Sequence, residues 1–380
     1  MQTSDSATPS TLRPWFEVGD AASIASPALL VYRDRVEENL RLMLAIAGGP
    51  ERLRPHIKTH KMREMVDLQL ALGITRFKCA TLSEAAMAAR AGAPDLLLAY
   101  PPVGPALEGL VALMAAFPQT KWSVLCDDAD AVRKLSNQVI RLRGGVLEVL
   151  VDLDLGQHRT GVPAGPEAVR LYMLVASLPG LRPGGLHAYD GHISDADPVV
   201  RAAACESAFQ PVAALRRQLV EAGLPVPRVV AGGSPTFPNH ARRADVECSP
   251  GTCVFWDAGY TSKLPDIPFV PAALVLTRVV SKPGGNRLCL DLGHKAVAAE
   301  MPPPRVRFLN LADAVPVLHS EEHLVVETQR SSEFKVGDCL YGVPWHICPT
   351  VALHAEAVVV QRGRIIGRWP VAARGRGVSL

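Results

Sequence analysis

The sequence predicts an α/β protein built as a (β/α)8 TIM-type barrel followed by a C-terminal β-domain. From Pro27 to about Arg243, short β-rich runs alternate with Ala/Leu-rich amphipathic stretches, the pattern of βα units repeated on a parallel sheet. The runs number eight, which favours a closed barrel over an open doubly wound sheet. After Val246 the helical periodicity disappears, and apolar runs alternate with Gly, Pro and Asn turns. The barrel is therefore expected over residues 22–245 and the β-domain over 246–380, with residues 1–21 paired to the β-domain.

In chain order the expected barrel strands are residues 28–32 (ALLVY), 53–58 (LRPHIK), 76–81 (RFKCAT), 95–100 (DLLLAY), 122–127 (WSVLCD), 147–154 (LEVLVDLD), 184–190 (GGLHAYD) and 228–233 (RVVAGG). Thr81–Ala91, Pro166–Ala176 and Val199–Ala222 carry the apolar periodicity of intervening helices. No flexible linker marks the boundary, so the two domains are expected to pack together.

A chain of 380 residues is long enough for two cores, and 48% hydrophobic with 20% charged residues is the composition of a folded protein. Forty basic against 37 acidic side chains leave a net charge of +3, with no Lys/Arg run interleaved with aromatics, so nucleic acid is not an expected partner. The longest apolar segment, residues 269–276, is far too short to span a membrane and is broken by Pro271, so a membrane is not expected either. Asp5, Glu17 and Asp20 do not suit a secretory signal, and eight scattered cysteines without a CxxC pair suit free thiols, which together point to the cytoplasm.

The stretch LRPHIKTHK (53–61) concentrates the candidate chemistry. Side chains alternate along a strand, which puts Arg54, His56 and Lys58 on one face. The C-terminal ends of barrel strands form the catalytic mouth, and Lys58 is the last residue of its expected strand. A lysine there is costly unless paired or used, and its commonest use is an imine with a carbonyl cofactor or substrate. The alternative is a core lysine satisfied by Asp152 or Asp154. Lys61 is expected in the first turn of the next helix as an ordinary solvated lysine. His56 and His60 are candidate supporting bases, a satisfied core histidine being the plainer reading of His56.

Five motifs in order, RPHxK (54–58), GQHRTGV (156–162), LHAYDGH (186–192), AGGSPTF (231–237) and PWHICPT (344–350), resemble those of the fold-type III pyridoxal-phosphate enzymes. The group concerned contains D-threonine aldolase and the metal-dependent D-serine and 3-hydroxyaspartate dehydratases, and the likeness runs from about residue 25 to the end. The resemblance implies an alanine-racemase-like barrel and β-domain, a homodimer, and pyridoxal 5′-phosphate carried as a Schiff base on Lys58. It also implies that Arg159 faces the pyridine nitrogen and that Tyr189, on one face of its strand with His187, lies beside the cofactor. Gly232, Gly233, Ser234 and Thr236 end the last expected strand with small residues and hydroxyls, which lets backbone N–H groups approach a phosphate near a helix N-terminus. His346 and Cys348, at i and i+2, project to one side and suit zinc, manganese or a similar divalent cation with positions left open. A buried His and Cys on one face of a strand is the structural alternative.

The implied substrate is a small D-3-hydroxy amino acid. HICPTVALHAEAVVV and the ending AARGRG resemble the aldolases, which cleave such a substrate by a retro-aldol step to glycine and an aldehyde. The H-x-C pair resembles the dehydratases, which give a 2-keto acid and ammonia; the aldolases carry H-x-D. The expectation is an aldolase-like lyase, with dehydration as the alternative. A racemase, or a non-catalytic protein that only binds the cofactor, would leave the metal pair unexplained.

Overall fold

The structure, a computed structural model, describes residues 13–377. Seven parallel strands, Arg76–Cys79, Asp95–Leu98, Lys121–Cys126, Leu147–Asp154, Leu181–Tyr189, Val229–Ala231 and Val246–Cys248, are hydrogen-bonded in that order. Residues 53–56 close the ring. Leu53 bridges Cys248 on one side and His56 bridges Lys78 on the other, both in parallel. Arg54 N–H donates to Cys248 O at 2.8 Å and His56 N–H to Pro250 O at 2.9 Å; Pro55 between them has no N–H to give. Helices Leu82–Arg90, Pro166–Ser177 and Pro198–Glu221 lie where periodicity placed them. Local chemistry starts them: the Thr81 hydroxyl accepts from Glu84 N–H, Pro166 opens the second, and Asp197 accepts from Val199 N–H.

Three strand assignments are corrected. Ala28–Tyr32 is no barrel strand; it pairs antiparallel with Ala273–Ser281 and parallel with Glu356–Gln361 in the second sheet. A short apolar run buried on both faces reads alike in either sheet, so periodicity does not separate them. The eighth barrel position is taken by Val246–Cys248, three residues long, so a division after residue 245 cuts inside the barrel sheet. LRPHIK does not continue as a strand to Lys58: Ile57–Thr59 forms a single 3-10 turn.

The second sheet has nine strands, with Ala28–Tyr32 near its centre and Val315–His319 and Arg364–Pro370 at its ends. Phe16 and Val18 pack in the cluster of Leu30, Tyr32, Tyr341 and Val343, and the Tyr32 hydroxyl donates to Phe16 O. Residues 13–21 thus lie against this sheet, whereas residues 1–12 of the segment expected there are outside the described residues. All eight cysteines are free, and among the described residues no helix is long and apolar enough to cross a membrane.

The N-terminal ends of the barrel strands carry a connected set of ion pairs. Arg54, with no exposure, sits 2.7 Å from Asp95 and 2.6 Å from Glu247. Arg76 shares Glu247, Arg228 joins Asp95 to Glu148, and Lys121 and Arg182 both reach Glu148. Burial works against charge on Asp95, yet Arg54 and Arg228 hold its carboxyl below the usual value. Arg54→Met leaves two carboxylates facing an apolar side chain and should destabilise the fold by about 3–5 kcal/mol at pH 7. Because Asp95 titrates low when folded, its contribution is present above the ordinary carboxylate pKa and is lost as pH falls through the lowered one. The Arg54→Met deficit, measured by urea unfolding, should therefore shrink as pH drops below about 4; a deficit independent of pH would show that packing, not charge, holds the seam.

Candidate active site

A cavity of about 510 Å³ opens at the C-terminal ends of the strands, with an adjoining lobe of about 350 Å³. His56, Lys58, Lys78, Ala80, Tyr100 and Tyr189 line both. Lys58 enters from the 3-10 turn, its N–H donating to His56 Nδ1 at 3.3 Å. Its side-chain amine has no hydrogen bond or ion pair among the described residues. Asp152 is occupied by His187 and Thr160, and Asp154 by His158 and Gly156. Neither carboxylate satisfies Lys58, so the core-lysine alternative loses its partners.

The neighbouring expected residues divide. Burial, then the charge of Lys58, pushes His56 well below its usual value; with Nδ1 accepting from Lys58, the neutral ring carries its proton on Nε2. His60 is a correction: it does not line the cavity but is buried against Met62 N–H and Gln69, and burial drives it down to about 3. Lys61 is a second correction. It lies before the helix Arg63–Ala71, at φ +55°, with its ammonium ion-paired to the fully buried Glu84 at the cavity wall. Residues 373–377 pack along this side, Ala373 N–H donating to Lys61 O and Ser83 Oγ to Gly377 O.

The expected phosphate residues form two layers. Gly233 and Ser234 line the cavity, joined by Gly251 and Thr252, whose N–H groups donate to Ser234 Oγ at 3.3 and 3.0 Å. Gly232 and Thr236 lie behind. Gly232 has φ +80°, and a Cβ there would stand 2.6 Å from the His240 ring. The Thr236 hydroxyl accepts from Gly233 N–H and donates to Asp190 Oδ1 at 2.6 Å. The following helix, Phe237–His240, is only four residues long, so the loop amides rather than a helix terminus give this site its polarity. Asp190, Cys205 and His240 present ligand atoms within 4.8 Å of one another. Arg243 donates to His240 Nδ1 at 3.2 Å, which places the ring proton on Nε2 facing Asp190 Oδ2 at 2.7 Å. The cluster braces the loop of Gly232 to Thr236 from behind.

His346 and Cys348 meet, though not on a strand: His346 immediately precedes the helix Ile347–Leu353 and Cys348 lies in its first turn. Glu300 faces His346 Nδ1 at 2.5 Å, and the ring also hydrogen-bonds Cys348 in the cavity wall. Cys348 Sγ lies 3.2 Å from Thr59 Oγ1 and 3.5 Å from Thr252 Oγ1. Burial would push the Cys348 thiol up, but the facing His346 and these hydroxyls bring it below its usual value. Asp257 accepts from both Tyr260 N–H and Ile347 N–H and so caps two helices at once.

On the floor two expected residues, Arg159 and Tyr189, meet one that sequence reasoning missed, Lys78. Arg159 lies over the Tyr189 ring at 4.9 Å, and Lys78, 2% exposed, approaches the same ring at 5.6 Å. The signal for Lys78 was present: Phe77 and Cys79 alternate with Arg76 and Lys78, and in a barrel the apolar pair faces the helices while the charged pair faces inward.

Residues 31–258 match the family model for the alanine racemase N-terminal domain and residues 272–360 one for a serine dehydratase domain. The chain is 32% identical to the D-threonine aldolase of Arthrobacter sp over 96% of its own length and 97% of that protein's. It is 30% identical to the 3-hydroxy-D-aspartate aldolase of Paracoccus denitrificans (strain Pd 1222) over 94% of each. The crystal structure of D-threonine aldolase from Filomicrobium marinum superposes with a TM-score of 0.86 at 30% identity, covering 93% of this chain and 97% of that one. The chain belongs to the D-threonine aldolase family. Members of this family are pyridoxal-phosphate-dependent lyases on an alanine-racemase fold, and both sheets found here are those of that fold.

For the D-threonine aldolase family member described here, the loop brace is testable in isolation. Asp190→Asn leaves one acceptor oxygen where two serve His240 and Thr236, sets an N–H donor against the other of them, and should weaken pyridoxal-phosphate binding to the cofactor-free protein about tenfold, or about 1.4 kcal/mol, read by absorbance titration. Unchanged affinity would separate the brace from the loop's function.

Proposed function

We propose that this protein is a pyridoxal-phosphate- and divalent-metal-dependent lyase that cleaves D-3-hydroxy amino acids to glycine and an aldehyde. The observation that supports this reading is the Lys58 amine, without a hydrogen-bond or ion-pair partner among the described residues, in one cavity with Gly233, Ser234, Gly251, Thr252, His346 and Cys348. The residues suit both groups. Gly233, Ser234, Gly251 and Thr252 would hold the phosphate, with Gly232 and Thr236 shaping the loop from behind. Arg159 and Tyr189, packed on one another, would flank the ring. His346 Nε2 and Cys348 Sγ would hold the cation, a mixed donor set with too few ligands for a closed structural site.

Bound pyridoxal phosphate supplies an aldehyde that condenses with amines and a ring that accepts electrons. A bound divalent cation supplies a Lewis acid that eases removal of a hydroxyl proton. The chain does the rest. The Lys58 amine can hold and return a proton, since no carboxylate claims it. Arg159 keeps its own proton and cannot transfer it to a ring nitrogen. His56, with Nδ1 engaged, acts as a donor through Nε2; His60 is too far inside the core to take part. Dehydration is the second reading, favoured by the thiol in the H-x-C pair. The aldolase reading is supported by relatives of that activity that match end to end. A homodimer, expected from the family, and a cytoplasmic setting, supported by eight unpaired thiols, complete the proposal.

Incubation with D-threonine should give glycine and acetaldehyde; 2-keto acid and ammonia with no glycine would replace cleavage by dehydration. Chelation, or His346→Ala, should lower turnover by at least about a hundredfold while the cofactor's visible band persists; full activity in demonstrably metal-free protein would remove the cation from the reading. Borohydride should fix the cofactor on Lys58, and Lys58→Ala should abolish that band. Label recovered on Lys61 or Lys78 would overturn the assignment of the amine.

A further inference from the structure

Lys78 is buried on the cavity floor, and its hydrogen bonds have only one consistent direction. Ser249 Oγ donates its proton to Gly232 O at 2.9 Å, so its oxygen accepts from Lys78 Nζ at 2.5 Å. His187 Nδ1 faces the Asp152 carboxylate at 2.6 Å and donates to it, so His187 Nε2 accepts from Lys78 Nζ at 3.4 Å. Two N–H groups are thereby used, and one tetrahedral position of the amine is left for the cavity that Lys78 lines beside Lys58. Whether a proton or a lone pair fills that position depends on the surroundings.

The charged groups around it are nearly balanced. Lys58 on the turn and Arg159 on its loop oppose a charge at Nζ, while Asp152 on strand Leu147–Asp154 and Asp190 beyond strand Leu181–Tyr189 favour one. Neither carboxylate lies within ion-pairing distance of Nζ among the described residues; Asp152 is turned to His187 and Thr160, Asp190 to His240 and Thr236. His56 and His187 are both held towards their neutral forms by burial. Burial, and after it the Lys58 charge, bring Lys78 down to about 7. A lysine kept only for packing would have its carboxylate or face away from the cavity.

We propose that Lys78 is the proton-accepting residue of this cavity: an oxyanion seated beside it draws a proton onto its amine, and the resulting ammonium holds that oxyanion. The ligand class is an aromatic phosphate ester with a ring oxygen or a carboxylate-bearing amine bound in the same cavity, and the proposal rests on the cofactor reading above. Through Asp152–His187 on one side and Ser249–Gly232 on the other, the same amine ties the Arg159 loop to the phosphate loop. Lys78 thus acts both as a charge switch and as a positioning residue.

Calorimetric titration of the cofactor-free protein with pyridoxal phosphate at pH 8, in two buffers of different ionisation enthalpy, counts the protons taken up. Wild type should take up about one more proton per cofactor than Lys78→Met, as expected for a group that is mostly neutral one unit above its pKa. Lys78→Met should also bind about tenfold more weakly. Lys78→Arg, permanently charged, should retain affinity without the extra proton, a result that a purely structural lysine would not produce. Equal proton uptake in wild type and Lys78→Met overturns the proposal; failure of wild type to bind the cofactor at all instead overturns the cofactor reading. Should Lys78→Met not fold, 13C-labelled lysine in the wild type gives the answer directly. One lysine Cε signal should sit at the neutral position at pH 8 and move to the ammonium position with pyridoxal phosphate. A signal charged in both states, or neutral in both, is incompatible with the switch.

Discussion

The structure depends on how its barrel closes. Seven strands are regular, and the ring is completed by four residues, 53–56, that make one bridge to each neighbour. So little backbone pairing is a weak seam, and Arg54 strengthens it from inside by holding Asp95 and Glu247 across the gap. Lys58 follows two residues later in the turn that the closed seam forces on the chain. Closure of the fold and delivery of the amine are therefore one event.

The two ends of the barrel use charge in opposite ways. At the N-terminal end every charged group from Arg76 round to Arg182 has a partner of opposite sign, and the set is nearly saturated. At the C-terminal end, among the described residues, Lys58 has no ionic partner and Lys78 only neutral ones, while Asp152 and Asp190 are spent on histidines. A low-dielectric interior makes unpaired charge expensive. The cost is tolerated where ligand charge is to be received, and the paired end offsets it.

Much of this was legible in the sequence, for identifiable reasons. Leu147–Asp154 is found to the residue because Leu147, Val149, Val151 and Leu153 recur at the period of a strand, and Lys58 is singled out by the five-motif pattern although a 3-10 turn, not a strand end, carries it. Other features leave no local trace. Ala28–Tyr32 has the same composition whether it enters a barrel or the centre of a mixed sheet, and Val246–Cys248 is too short to register. His60 and Lys61 sit two and three residues past Lys58 on a turn with one positive φ, so their directions follow from tertiary packing against Gln69 and Glu84. His346 and Cys348 converge although a helix terminus, not a strand, presents them, because a helical i+2 residue can still meet a cap residue at the first turn.

Asp257 caps its own short helix, which carries Tyr260, and also the helix that begins beside His346 and contains Cys348. Two walls of the cavity consequently share one anchor. The spacing between the imidazole–thiol pair and the Tyr260 wall is thereby set by a single carboxylate, whose two oxygens each hold one wall.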